Sequence, residues 1–585
     1  MPRFVPDAGG LNAPTTRYDR SINRKTVWPC MDRQDASVNH RLENRIAMNP
    51  LFRRALSFWS CAYLSTAISA GVFVWVVGHR GIYLYDQSGV FDGAWRMVQG
   101  QVMYRDFYAP YGPMVFWIQS LFFRLAGVDY SSMVLSAAVV NGVAVLCVIW
   151  LVRRLFPGSL HRPTAIAAGM VTAVWFQAPS GTLWFEQTSF CFNLFALILL
   201  IETGFRTART AVYLRLVAGC SLALAVLSKQ SAGLVLLPVP VGAAVIISFP
   251  DWRKTFTALL QLSAGILLVA VMFFIWLWGF SSLPGFWQSV VVTSRVLAGT
   301  RIARANSLTS LLLLEQTLPY VRVALAAFVV FALSRGAFTT PHRLLVSWIL
   351  LSYIFLQNIF ASITLNDVAN SVGYLGLING LAFGLFSRVF WKKRRESDRP
   401  LKYWAMAAVP VLIAVLLFYR PTLRGWRTSA WRTVQQFDRN ATFDERLQVA
   451  GASRVMWGEP TIMDDLTVTR QDFENVNAYL SESNATFYVF PYSTLLYGLH
   501  KKPSPQPYVY FMPDHSFLMS DIAQVGTKIV ESLQKNNVTV IVLEQSSSFH
   551  NEDLLRQMPD LSTWLRSRFQ KTREFGYYQV WTLRN

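Results

Sequence analysis

A chain of 585 residues that is 53% hydrophobic and only 15% charged is too apolar to be a soluble protein of that length. Its net charge of +21 would indicate nucleic acid in a soluble protein, but here Lys and Arg cluster beside apolar runs, where membrane orientation and anionic head groups account for them. The five cysteines (Cys30, Cys61, Cys147, Cys191 and Cys220) lack CxxC spacing and the seven histidines form no HExxH-like pair, which argues against a disulfide framework and against a zinc site.

The first 50 residues are polar, Arg-rich and irregular, without the features of a cleaved signal peptide. They read as a disordered cytoplasmic tail, or in part as an over-extended gene start, since Met48 sits just before the first apolar run. Eleven candidate spans follow, near 56–78, 131–152, 164–179, 187–203, 212–228, 232–249, 256–279, 319–334, 342–362, 371–390 and 402–419. Every second connection is basic: Arg53 and Arg54, then Arg153, Arg154 and Arg162, then Arg206, Arg209 and Arg215, then Arg253 and Lys254, then Arg335 and Arg343, then Arg388 and Lys392 to Arg395. That alternation predicts a cytoplasmic N-terminus and places the other connections, and everything after about 420, outside.

Residues 113–127 are apolar but too short to cross. Counting them as a span would move Arg153 and Arg154 outside, so they are expected to lie along the outer surface. The first outer loop then covers about 79–130, and a second long outward segment covers about 280–318. Residues 421–585 read as a separate α/β domain. A strand is expected at 485–491, an amphipathic helix over 521–536, a strand at 538–543 and a closing hairpin over 575–583. No GxGxxG or GxxxxGK[ST] occurs, so nucleotide binding has no support. The predicted fold class is a polytopic α-helical membrane protein of about eleven spans with a C-terminal extracytoplasmic α/β domain.

The first outer loop is long, aromatic and acidic, which a plain connector would not be. Asp86 lies a few residues beyond the first span, near the membrane plane. Reduced solvation there raises a carboxylate's pKa and makes it a better general base. A solvated loop aspartate or helix cap would also fit that position alone. Asp92 is expected to cap the helix that follows it, and Asp106 to pair with Arg105. Glu186 sits at the outer end between the third and fourth spans, where an acid is tolerable. Lys229 and Gln230 occupy the outer turn of Leu227-Ser228-Lys229-Gln230-Ser231-Ala232-Gly233. A lysine on this side runs against the charge rule, and it suits a lipid-linked phosphate. Arg295, Arg301 and Arg304 on the second outward segment are candidates for the same phosphate. Tyr111 is a candidate for stacking on a sugar, although most of the Trp and Tyr enrichment reads as an interfacial belt.

The order Asp86, Gly93-Ala94, Gly100, Tyr104-Arg105-Asp106-Phe107, Tyr111-Gly112-Pro113 and an apolar segment ending at Gly127 resembles the first outer loop of GT-C glycosyltransferases. The Lys229-Gln230 turn is similar to one in the same group. The pattern is similar to that of polyprenyl-phosphate-sugar-dependent enzymes of the protein O-mannosyltransferase and aminoarabinose-transferase kind. Many of them have Asp-Glu at the start of the loop, where this chain has Asp86-Gln87. The resemblance implies that Asp86 is the catalytic base, that Glu186 helps to hold the acceptor or orient the base, and that Asp106 is a reserve candidate. It implies no certain cofactor, although some members use a divalent metal. The expected reaction is inverting transfer of a sugar from a polyprenyl-phosphate donor to a lipid, glycan or protein acceptor at the outer face of a bacterial inner membrane. A flippase for lipid-linked glycans would share the spans and basic patches, but it predicts mid-span ionisable residues and repeat symmetry. A non-catalytic scaffold would explain the exported domain but leave the acidic loop without a purpose.

Overall fold

In the computed structural model the described residues are 50–296, 344–353 and 437–584, with 299 and 356, apart from residue 83 and the stretches 157–160, 178–180, 464–465, 512–515 and 546–550. The chain divides into Met1–Trp59, of which only the start of the first helix is described, and Ser60–Asn585, which holds every other described element.

Six helical segments among the described residues are long and apolar enough to cross a membrane. They are Phe58–Gly78 (within helix α1, Pro50–Gly78), α4 (Tyr130–Leu155), α6 (Phe185–Thr203), α7 (Ala208–Ser228), the pair α8 (Gln230–Leu236) and α9 (Pro238–Ser248), and α10 (Trp252–Gly279). All six coincide with expected spans. The expected span at 164–179 is α5 (His161–Trp175), 15 residues long and below crossing length. The one at 342–362 is described only over α12 (Leu344–Tyr353). Those at 319–334, 371–390 and 402–419 lie outside the described residues, so a count of eleven is not established.

Small residues bring the spans together, as bilayer packing demands. At Gly219 of α7 and Gly265 of α10 the backbones touch, and a Cβ on either would strike the other helix's main chain. Gly71 and Gly142 do the same for α1 and α4. Buried Asn141 ties three helices, since its Nδ2 donates to the carbonyls of Ala70 (3.1 Å) and Ala173 (3.0 Å) and its Oδ1 accepts from the Gln177 backbone (3.1 Å). An amide in this setting is held because every alternative leaves it unsatisfied.

The first outer loop is mostly helical. Helix α2 (Asp86–Val98) and helix α3 (Met114–Ala126) pack on one another. At 13 residues α3 spans about 20 Å, too short to cross, as its length in the sequence implied. A helix was expected to start after Asp92, but α2 starts at Asp86, so that expectation fails. Asp92 lies in mid-helix and caps nothing. The second outward segment continues from α10 into α11 (Leu283–Phe286) and a π-helical turn, Trp287–Val292.

The C-terminal region holds two sheets. Strands β1 (Phe437–Arg446), β2 (Met456–Met463) and β3 (Leu466–Val468) form an antiparallel sheet. The second sheet has the order β4-β5-β7-β6. In it β4 (Phe487–Phe490) and β5 (Val540–Glu544) are parallel and flank the crossover helix α15 (Ile522–Lys535), while β6 (Phe569–Phe575) and β7 (Tyr578–Leu583) form the closing hairpin. The expected strand, helix, strand and hairpin are all present. The first sheet and helix α13 (Arg470–Ser483) were not foreseen, although the Thr469/Asp472 capping box that starts α13 is readable in the sequence. Short helix α14 (Leu495–Leu499) follows β4, and α16 (Asn551–Gln557) and α17 (Pro559–Arg568) precede β6.

The outer loop and the C-terminal region share one core. Phe91, Trp95, Phe123, Tyr130 and Met133 from the loop side pack with Trp457, Phe473, Val489, Leu496 and Tyr578. Backbone bonds join them too. Tyr108 exchanges bonds with Pro507 and Val509 (2.7 and 3.2 Å), and Met456 bonds the His79 carbonyl (2.7 Å). The two therefore occupy the same side of the membrane.

Candidate active site

Four pieces of chain meet above the spans. Lys229 is the single extended residue between α7 and α8 (φ −151°, ψ 114°), so the chain reverses there. Gly233 permits the reversal, because a Cβ on it would press on the Val226 backbone at 2.6 Å. The turn presents the Lys229 ammonium to Glu186, in the first turn of α6, and the two form an ion pair. Glu186 is 2% exposed and Lys229 14%. The second carboxylate oxygen of Glu186, Oε2, is buried and accepts no hydrogen bond. Two desolvated charges hold each other, with polar capacity left over on both.

Tyr111 covers this pair. Its ring lies 4.9 Å from the Lys229 ammonium and 4.2 Å from the Phe185 ring. The Tyr111-Gly112-Pro113 turn sits here because Gly112 lies directly on the Leu227 main chain, with no room for a Cβ. Tyr104 fixes the turn from the other side by donating to the Tyr111 carbonyl (2.6 Å). To do so it holds a left-handed conformation (φ 68°) that a bulky residue keeps only under tertiary constraint. Gln230 donates to the Pro110 carbonyl and to Ser294 Oγ, both at 2.8 Å, and so joins loop, turn and second outward segment.

Asp86 begins α2, where the helix terminus favours a negative charge. Tyr510 of the C-terminal region connects it to the rest. The Tyr510 hydroxyl donates to the Asp86 carbonyl (3.4 Å), and its ring is 5.9 Å from that of Tyr111. Gly89 admits the ring, since a Cβ there would overlap it. Burial, followed by the charges of Tyr111, Asp86, Tyr85 and Glu186, holds the Tyr510 phenol well above its ordinary range, so it stays a proton donor. Its shift registers both carboxylates, Asp86 and Glu186, around one phenol. Sequence reasoning missed Tyr510. It lies 424 residues from Asp86 in a segment that carries no motif.

The other expected residues divide. Asp106 is spent on its own turn, accepting from the Val102 backbone (2.7 Å) and pairing with Arg105 (2.7 Å). The hydrogen bond from Arg105 holds its carboxyl below the usual range, which suits a structural anion. None of its contacts reaches Asp86, Glu186 or Lys229. Arg295 is exposed, one residue beyond Ser294, while Arg301 and Arg304 lie outside the described residues. Among the described residues no three His, Cys, Asp or Glu side chains gather where they could hold a metal.

The comparisons with known proteins bear on the fold. A family model described as dolichyl-phosphate-mannose-protein mannosyltransferase matches residues 110–278, the stretch from Pro110 through α10. No curated protein matches the chain. Among solved structures, ArnT from Cupriavidus metallidurans bound to undecaprenyl phosphate is similar at 14% identity and a TM-score of 0.50, covering 88% of this chain and 97% of that one. The apo state of the same protein matches with a TM-score of 0.48 at 14% identity, covering 90% and 98%. The Archaeoglobus fulgidus oligosaccharyltransferase complex with Zn and sulfate matches with a TM-score of 0.44 at 12% identity, covering 88% and 72%. In fold the chain is similar to ArnT over most of both chains, and residues 110–278 match the mannosyltransferase family model just described.

Proposed function

We propose that this protein is an inverting glycosyltransferase that moves a sugar from a polyprenyl-phosphate donor to a cell-envelope acceptor at the outer face of a bacterial inner membrane. The observation that carries the reading is the Lys229–Glu186 pair under Tyr111, joined through Tyr510 to Asp86. A cation lies against one buried carboxylate, and Tyr510 reaches the backbone of a second acidic residue; the cation is read here as the seat of the donor phosphate. The undecaprenyl phosphate bound to the similar ArnT supplies the donor class.

Lys229 has three N–H donors and the Glu186 contact uses one, so the donor phosphate can be held without breaking the pair. Asp86 takes the proton of the acceptor hydroxyl or amine as that atom forms its bond to C1 of the sugar. The C1–oxygen bond to the phosphate breaks on the opposite face, and its electron pair leaves with the lipid phosphate, whose new charge faces Lys229. One displacement inverts the anomeric carbon, through an oxocarbenium-like transition state. Tyr510, kept protonated, holds the Asp86 backbone through its hydroxyl and so helps to fix the start of α2.

The test uses the purified full-length chain in lipid nanodiscs with an undecaprenyl-phosphate-linked sugar. Asp86→Asn is expected to lower transfer by about 10²-fold or more with an unchanged melting temperature. Wild-type turnover by a folded Asp86→Asn protein would remove Asp86 as the base.

A further inference from the structure

A second cavity lies apart from this cluster. It occupies about 470 Å³ between the end of α2, the outer face of α3 and the outer end of α10. Neither Asp86, Glu186, Lys229 nor Tyr111 lines it. Its floor is apolar, with Trp117 and Trp276 in edge contact at 5.2 Å. Its rim is polar. Arg124 uses one N–H on the Met97 carbonyl (3.1 Å) and pairs with no carboxylate among the described residues. Gln101 lines the cavity too, and its Oε1 is buried without a hydrogen-bond partner.

The surroundings are apolar and exposed. Leu121 at the rim is 53% exposed and Leu125 beyond it 75%, while Phe274, Ile275 and Trp278 of α10 are exposed on the neighbouring span. Exposed apolar side chains beside paired tryptophans mark the boundary between acyl chains and head groups. Arg124 is exposed at this boundary and has N–H groups left to offer an anion, and the Gln101 amide oxygen, which has no donor, would accept from a hydroxyl or ammonium.

We propose that this cavity binds the head group of a phosphate-bearing lipid that also carries a hydroxyl or ammonium. The phosphate sits on Arg124, the hydroxyl or ammonium donates to Gln101, and the chains run down the exposed faces of α3 and α10. Such a lipid arrives either as bulk phospholipid or as a lipid-anchored acceptor of the transfer reaction. The second source rests on the proposed function, and the binding itself does not.

The probes are short-chain phosphatidylglycerol, which offers hydroxyls, and phosphatidylcholine, which offers no donor. Each is titrated into delipidated full-length protein and read by native mass spectrometry. Phosphatidylglycerol is expected to bind more tightly. Arg124→Gln should weaken it on the order of tenfold, and Gln101→Leu should abolish the preference between the two lipids, both with an unchanged melting temperature. Equal phosphatidylglycerol affinity in wild type and Arg124→Gln overturns the site. In the transfer assay, a raised acceptor KM in Arg124→Gln with kcat and donor KM unchanged assigns the cavity to the acceptor. An unchanged acceptor KM alongside the lost lipid binding assigns it to bulk phospholipid. Lipid binding is read without turnover, so the two proposals fail separately.

Discussion

At the scale of single residues, Lys229 and Glu186 have structural and chemical duties that are separable by experiment. Removing one partner strands a buried charge. Lys229→Ala alone is therefore expected to destabilise the protein by about 3–5 kcal/mol and to weaken donor binding. Lys229→Met with Glu186→Gln removes both charges, so thermal melting should recover towards wild type while donor affinity stays low. Donor affinity returning together with stability would reduce Lys229 to a structural role. Asp86, Glu186, Lys229 and Tyr111 could be picked from the sequence because each breaks a local rule: an acid or cation at a membrane end, or a glycine-flanked aromatic turn. Tyr510 breaks none. Its significance lies in the room left by Gly89, which only the folded chain reveals.

At the scale of elements, α2 carries the most consequence. Its buried Asp92 accepts from Arg96 (2.9 Å) and Ser504, and Arg96 donates on to the Gln506 carbonyl (2.6 Å). Burial pushes the Asp92 carboxyl up, while Arg96 and Ser504 pull it down. Arg96→Met leaves Asp92 in the core with its main counter-charge gone. The expected cost is about 3–5 kcal/mol by chemical denaturation, largely recovered by Asp92→Asn in the same chain. The start of the helix was hard to see in advance because eleven consecutive residues, Gln87–Met97, are buried, the polar Gln87, Asp92 and Arg96 among them. Polar side chains that face protein do not mark a solvent face. By contrast, α15 has one apolar and one charged face, and its limits were readable to within a residue.

At the scale of the whole molecule, the first loop and the C-terminal region share one core, and acid should loosen it from the C-terminal side. His500, at the end of α14, contacts Asn477 Oδ1 through Nε2 (3.0 Å). Burial, then the charge of Lys502, depresses its pKa to about 4. The unfolded chain binds a proton near pH 6.5 and the folded one only near 4. Stability is thus full above about pH 6.5 and falls as pH drops towards 4. Melting curves across that window should show the fall in wild type and a shallower one in His500→Gln. An identical slope would place the acid sensitivity elsewhere. Hydropathy and charge alternation made the membrane class and the domain order legible. They carried no information on the docking of one part against the other, which depends on side chains with no local signature.

The bond from Arg96 to Gln506 closes over 410 residues. Synthesis at about 5–20 residues per second puts roughly 20–80 s between the emergence of the two partners. Through that interval Asp92, Arg96 and the aromatic face of α2 exist without the surface that will bury them, while span after span is threaded behind them. The first loop is therefore a client in waiting: completion of its core is timed by the ribosome reaching the far end of the message.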